Sequence, residues 1–203
     1  MRRDELVRRI QSVPLPPHPE APLEQVATPA EAAADLLAAL DRYVGLAGRS
    51  VVDLGCGTGR LAVGAALLGA DPVIGVEVDS SLVPIARAAA RAAKATVEFR
   101  VSDVAEWKQP ADVVVMNPPF GAQTRHADRP FWDCAFSVAR RSIGAFASST
   151  SRTFIARLAL DRGAHVVEVE PVRWDLPRTF PHHRSAMVRL PVDRWVIEAG
   201  TKP

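Results

Sequence analysis

An α/β domain with a mostly parallel sheet and helices on both of its faces is the fold this sequence predicts. Three observations support it. From Ser50 onward, short apolar runs alternate regularly with helix-patterned stretches, the pattern of successive β–α units. The last two apolar runs, residues 164–173 and 185–196, have no helix between them and read as a closing hairpin. A chain of 203 residues with 48% hydrophobic content can bury one sizeable core, so a single main domain is the simplest organisation.

Taken in order, residues 2–10 have the pattern of a short amphipathic helix. Pro14, Pro16, Pro17, Pro19 and Pro22 then mark an extended arm rather than a packed element. We divide the chain accordingly into an N-terminal helix and proline-rich arm, 1–22, and one domain, 23–203. Thr28-Pro29-Ala30-Glu31 reads as a helix start, with Thr28 as N-cap, proline at the first position and glutamate closing a capping box. Leu36, Leu37, Leu40 and Tyr43 continue that helix with its period. Beyond it, strands are expected at 50–54, 72–77, 96–101, 111–116 and 143–147. Helices are expected at 60–68, 80–93, 130–141 and 150–162. No internal repeat is evident.

The most informative stretch is Asn117-Pro118-Pro119-Phe120, which follows directly on the apolar run Ala111–Met116. Proline fixes φ and restricts its predecessor, so two in succession hold the turn in one extended shape. A primary amide donates and accepts hydrogen bonds at once, which suits an amino group on a planar ring, and Phe120 offers a face to that ring. Upstream, Val51-Val52-Asp53-Leu54 runs into Gly55-Cys56-Gly57-Thr58-Gly59 and a helical stretch. Glycines allow positive φ and close approach of a ligand. Asp53 stands at that strand end and Glu77 ends the next apolar run, the place where nucleotide-binding sheets grip a ribose diol. The glycine spacing is not the dinucleotide fingerprint, and no P-loop lysine follows. Asp53, Glu77, Asp103 and Asn117 all fall at the ends of candidate strands, where open sheets bind ligands. Any one of them could be a cap or turn residue; four at corresponding positions point to a site.

These residues together resemble the class I S-adenosylmethionine-dependent methyltransferases, over roughly residues 23 to 196. Asp53 to Gly59 looks like their first motif, Glu77 like the ribose-binding acid, and Ser102-Asp103-Val104 like the segment that meets the cofactor adenine. Asn-Pro-Pro-Phe is similar to the catalytic motif of the amino-methyltransferases. The resemblance implies a Rossmann-like, seven-stranded, mostly parallel sheet with an antiparallel closing hairpin. It implies S-adenosyl-L-methionine as cofactor, held by Gln25, Thr28, Asp53, Gly55, Cys56, Gly57, Thr58, Glu77, Val78, Asp103, Val104 and Asn117. Asn117, Pro118, Pro119 and Phe120 would form the catalytic turn.

The tetrapeptide alone permits adenine N6, guanine N2 or a glutamine side-chain amide as methyl acceptor. A more specific ordered set resembles methyltransferase-like protein five and its archaeal relatives, which make N6-methyladenosine in small-subunit ribosomal RNA. The set comprises Leu23-Glu24-Gln25 before Thr28-Pro29, Asp53 to Gly57, Met116 to Gly121, and Asp175-Leu176-Pro177 followed by a basic stretch. Arg152, after Ser148-Ser149-Thr150-Ser151, matches that family's helix start with one residue inserted. Here the basic stretch, Arg178-Thr179-Phe180-Pro181-His182-His183-Arg184, is shorter and less charged than the family's, yet still pairs cations with an aromatic as an RNA-gripping loop needs. RNA contacts are therefore expected at Arg125, Arg129, Arg173, Arg178, Phe180, His182, His183 and Arg184, with Gln123–Arg129 as a lid over the target base. Eukaryotic members work with a small zinc-binding activator that adds a strand to the sheet edge. Here only the apolar edge Val97–Val101 and the hydrophobic hairpin hint at such pairing.

Other classes stay open at this point: guanine-N2 methylation of ribosomal RNA, protein glutamine methylation, and a non-catalytic cofactor-binding assembly factor. A formal net charge of +2 argues neither for nor against nucleic acid. No apolar run is long enough to cross a bilayer, and the first residues lack the apolar core of a signal peptide, so a cytoplasmic protein is expected. Cys56 and Cys134 show no metal spacing, nor do His126, His182 and His183, and no metal is assigned.

Overall fold

The computed structural model describes residues 1–17, 26–120, 126–177 and 187–200. Helix α1 (Arg3–Gln11) is followed by α2 (Ala30–Val44), β1 (Val51–Leu54), α3 (Arg60–Leu67) and β2 (Val73–Glu77). Next come α4 (Leu82–Ala92), β3 (Glu98–Val101), β4 (Ala111–Met116), α5 (Arg129–Val138) and β5 (Ala139–Ser148). A single 3-10 turn (Ser149–Ser151), α6 (Arg152–Asp161) and the hairpin β6 (His165–Pro177) and β7 (Met187–Glu198) complete the order. Seven strands form one sheet in the order β3-β2-β1-β4-β5-β7-β6. Strands β3, β2, β1, β4 and β5 are parallel, and β7 and β6 run antiparallel at the end. The strand order reverses between β1 and β4, and their carboxyl ends, Leu54 and Met116, lie side by side in register.

Two cores flank the sheet, and the period-two alternation of the strands divides them. Val51, Val113 and Val115 face one core with the helical residues Leu6, Ile10, Leu36, Leu37, Leu40, Val63 and Ala86. Val52, Leu54, Val114 and Met116 face the other with Trp132, Phe136, Ile155 and Trp195. Helix α1 belongs to the first core, since Leu6 and Ile10 are fully covered there. Gly64 makes that fit possible: a Cβ at this position would stand 2.4 Å from the Leu37 side chain and 2.9 Å from that of Ile10.

Several local expectations are corrected. Thr28 does not cap α2, because Pro29 occupies the N-cap position, no side chain caps the end, and Thr28 is buried. The helix expected to reach residue 141 ends at Val138, since Ala139 pairs with Ala111 and opens β5. The proline arm is not wholly unpacked, because the Val13 and Pro14 carbonyls accept hydrogen bonds from Arg60 and Thr58. Pairing of β5 with β7 stops at Ser148 and Val192, whereas β6 and β7 continue from Arg173–Pro191 to Pro177–Met187. The hairpin thus projects as a two-stranded ribbon beyond the carboxyl end of β5. No helix among the described residues is long and apolar enough to cross a membrane.

Candidate active site

A cavity of about 330 Å³ opens at the carboxyl ends of β1, β2 and β4, where the strand order reverses. The β1–α3 turn forms one wall. Gly55, Gly57 and Gly59 all take positive φ there, at 68°, 54° and 93°. Gly55 has a second reason to lack a side chain, since a Cβ would come within 2.7 Å of the Phe131 ring on the opposite wall. Asp53 is almost fully buried and its Oδ2 accepts the Ala62 N–H at 2.9 Å, capping α3 from the strand below. Burial pushes its carboxyl up to about 7; the Ala62 N–H opposes that rise and the nearby Glu77 adds to it. Cys56 is buried, and its thiol is pushed well above its ordinary range by that burial and by Asp53 and Glu77. It is a packing residue: its sulfur fills the space a side chain on Gly75 would need, 2.8 Å from that Cβ position.

Glu77, at the end of β2, is fixed by two backbone donors. Gly57 donates to Oε2 at 2.7 Å and Asp79 donates to Oε1 at 2.9 Å. A carboxylate offers about four acceptor positions, so two remain for a diol. The next residue, Val78, is half-exposed and presents an apolar surface to the cavity, with Leu82 and Val104 nearby. Asp103 lines the cavity and also closes a local turn, its Oδ1 accepting the Ala105 N–H at 2.9 Å. Turn residue and cavity residue are therefore the same side chain.

Asn117, at the end of β4, is the most constrained polar group. Its Nδ2 donates to the Val26 carbonyl at 2.9 Å, which fixes the orientation of the amide. Its Oδ1 is buried without a hydrogen-bond partner, at the cavity wall. An unpaired buried acceptor costs about 1–3 kcal/mol, so this oxygen is a standing demand for a donor. Pro119 lines the cavity and Pro118 is buried behind it. Phe120 departs from expectation. Its half-buried ring meets Trp174 edge-on, centroids 5.8 Å apart, and packs against the first core rather than lining the cavity.

Sequence reasoning missed the roof. Val26, Ala27 and Thr28 cover the cavity, and Arg60 ties them down: Nη1 donates to the Thr28 carbonyl at 2.8 Å, Nη2 and Nε to the Val13 carbonyl at 3.1 and 3.3 Å. Thr58, expected as a cofactor ligand, spends its hydroxyl on the Pro14 carbonyl at 2.7 Å. Ala127, Pro130 and Phe131 supply the opposite wall, a contribution invisible in the sequence because nothing marks their direction. Arg129 is exposed beside them, and Arg173 lies on β6 away from the cavity lining. Gln25, Arg125, Arg178, Phe180, His182, His183 and Arg184 lie outside the described residues, as does much of the expected lid.

The donor set fits S-adenosylmethionine: a glycine turn, a carboxylate with free acceptor positions, an apolar shelf beyond it, and an orphan amide oxygen at the far end. Comparison with known proteins agrees. The profile of the Methyltransferase small domain family matches residues 30–142. The rRNA N(6)-adenosine-methyltransferase Mettl5 of Drosophila melanogaster is 31% identical, the match covering 91% of this chain and 90% of that protein. An uncharacterised protein of Methanocaldococcus jannaschii is 31% identical over 98% of this chain and 94% of its own length. A crystal structure from Pyrococcus horikoshii, described as that of a candidate RNA methyltransferase, superposes with a TM-score of 0.90 at 34% identity, covering 98% of both chains. A chain that shares its site-bearing sheet with that profile, and nearly its whole length with Mettl5, belongs to the Methyltransferase small domain family and stands among the Mettl5-type methyltransferases.

Proposed function

We propose that the protein transfers a methyl group from S-adenosyl-L-methionine to adenine N6 of RNA, with small-subunit ribosomal RNA as the substrate class. The single observation that carries the chemistry is the buried, unpartnered Asn117 Oδ1, held in place by the Nδ2–Val26 bond. The substrate class follows the relatives, since Mettl5 of Drosophila melanogaster is an rRNA N(6)-adenosine methyltransferase by name. When bound, the cofactor supplies an electrophilic methyl carbon on a sulfonium. Glu77 would take the ribose hydroxyls, Val78 and Val104 the adenine faces and Asp103 its polar edge; the glycine turn gives the close approach.

The residues themselves have three tasks. Asn117 Oδ1 and the Pro118 carbonyl accept the two N–H bonds of the incoming amine, which turns the nitrogen lone pair toward the methyl carbon. As the N–C bond forms and the C–S bond breaks, the nitrogen becomes cationic and both acceptors bind it more strongly, so the stabilisation is realised in the transition state. The proton is then shed from the methylated amine. Alignment is the main contribution, and alignment alone can be worth roughly 7–11 kcal/mol at its limit. Because the target must enter the cavity edge-first, an adenine in folded RNA has to be unstacked or already single-stranded. With Phe120 turned onto Trp174, the apolar wall nearest the turn is Phe131 and Pro130.

An activator that adds a strand to the sheet would find an open edge at β3, whose Val101 is 56% exposed. The test of the reading is a nucleoside digest of RNA methylated with isotopically labelled cofactor. Label in N6-methyladenosine is the expected result. Label in N2-methylguanosine would move the acceptor, and wild-type protein that labels no RNA at all would overturn the assignment.

A further inference from the structure

We propose a second nucleotide-binding subsite on the rim of the cavity, formed by Phe154 and Arg129, that stacks the base next to the target in the RNA. It rests on the RNA reading above and assigns to that substrate a contact outside the catalytic pocket. Phe154 is 40% exposed, and the Arg129 guanidinium lies over its ring, 5.5 Å from the centroid. Both residues sit where the substrate must pass. Arg129 opens α5 and immediately precedes Pro130 and Phe131, which line the cavity. Phe154 is the third residue of α6, which follows the carboxyl end of β5. Both helix starts therefore lie at the same edge of the sheet as Asn117.

An exposed phenyl ring costs hydration free energy, and here nothing within the chain covers it fully. Tyr43, the other exposed aromatic among the described residues, differs because its hydroxyl is hydrogen-bonded to Glu198. The surroundings of Phe154 suit a nucleotide better than a protein. Its neighbours on the exposed face of α6 are Arg152, Thr153, Ala156 and Arg157, which do not form a broad apolar patch. The carboxylates nearby are occupied: Asp193 by Arg152 and Ser149, Asp161 by Arg157. A π-face beside a guanidinium offers stacking for a base and a cation for its phosphate, a combination tolerant of sequence. The base would slide onto the face of the ring and the guanidinium would follow the phosphate.

The experiment measures fluorescence anisotropy of a labelled 12-nucleotide single-stranded RNA containing one adenosine, with S-adenosylhomocysteine saturating. Wild type is compared with Phe154→Ala, Phe154→Tyr and Arg129→Ala. Phe154→Ala is expected to weaken RNA binding by about 5- to 100-fold, the range for losing one stacked base, with its salt dependence unchanged. Phe154→Tyr restores binding. Arg129→Ala weakens it and lowers the slope of log K against log salt by about one, as for one lost phosphate contact. The subsite is overturned by Phe154→Ala binding within twofold of wild type, or by Phe154→Tyr binding as weakly as the alanine variant. Failure of the parent reading looks different: wild type itself then neither binds nor methylates the RNA.

Discussion

Replacing Asn117 with alanine separates the two bonds its amide serves. On the acceptor side, losing a preorganised partner for developing charge costs about 2.7–4 kcal/mol, or roughly 10²–10³ in kcat. On the donor side, the 2.9 Å bond to the Val26 carbonyl is an ordinary neutral bond worth about 1 kcal/mol net. Val26 belongs to the roof, so its release can weaken cofactor binding by no more than about fivefold. Asn117→Ala should thus lose 10²–10³ in single-turnover methyl transfer while its calorimetric affinity for S-adenosylhomocysteine changes little. Asn117→Asp is the sharper variant. It keeps an acceptor but sets a carboxylate oxygen against the Val26 carbonyl where a donor stood, so its cofactor affinity should fall below that of the alanine protein. A kcat within tenfold of wild type for Asn117→Ala would refute the mechanism. A 50-fold loss of cofactor affinity in that variant would make Asn117 a cofactor ligand instead.

Three further perturbations test the framework. Arg60→Met keeps the apolar stem but removes three charge-assisted bonds from a half-exposed group; at about 2–3 kcal/mol, melting should drop by roughly 5–10 °C, and a shift under 1 °C would show the roof is held by other means. Asp53→Asn preserves an oxygen for the Ala62 N–H while abolishing the ionisation. Because the folded carboxyl titrates near 7 against about 3.9 unfolded, the folded state binds the extra proton, and wild-type stability falls as pH rises through that window. The variant should therefore melt higher than wild type at pH 8 and equally at pH 4, and equal melting at both would sink the claim. Arg152→Met leaves Asp193, whose side chain is fully covered, with Ser149 alone. Since half the Arg152 side chain is exposed, roughly 2–3 kcal/mol is expected rather than the full cost of a broken buried pair. Burial pushes Asp193 up, but the Arg152 and Ser149 bonds and the guanidinium charge outweigh it, so its carboxyl lies below its ordinary value. That contribution is complete above about pH 4 and is lost as pH falls through the folded value, so the melting-temperature gap between variant and wild type should shrink in acid.

What could be read in the chain was what local pattern determines. Continuous valine runs marked strands, glycines marked the β1–α3 turn, and polar residues at strand ends marked Asp53, Glu77, Asp103 and Asn117, all of which line the cavity. What escaped depends on contacts between distant residues. Arg60 reaches a carbonyl 47 positions away and Asn117 one 91 positions away, and neither partner carries a side-chain signal because both are backbone groups. Ala139-Arg140-Arg141 has helical composition and became strand because β4 offered it a ladder. Phe120 carried the right chemistry for a stacking platform, yet its direction was decided by Trp174, a residue of the closing hairpin.

The ribbon formed by β6 and β7 past Ser148 behaves as a cantilever. Five residue pairs, about 16 Å at 3.3 Å per residue, extend without a third strand beside them. Two strands alone resist bending poorly, so a force at the tip is borne where the ribbon leaves the sheet. Trp174 sits at that root, fully enclosed, with Phe146 on one side at 5.0 Å and Phe120 on another at 5.8 Å. Deflection of the arm must tilt the indole, and the first thing the indole pushes is the last residue of the proline-locked turn. The overhang and the methyl-transfer centre are thereby joined through three rings in contact.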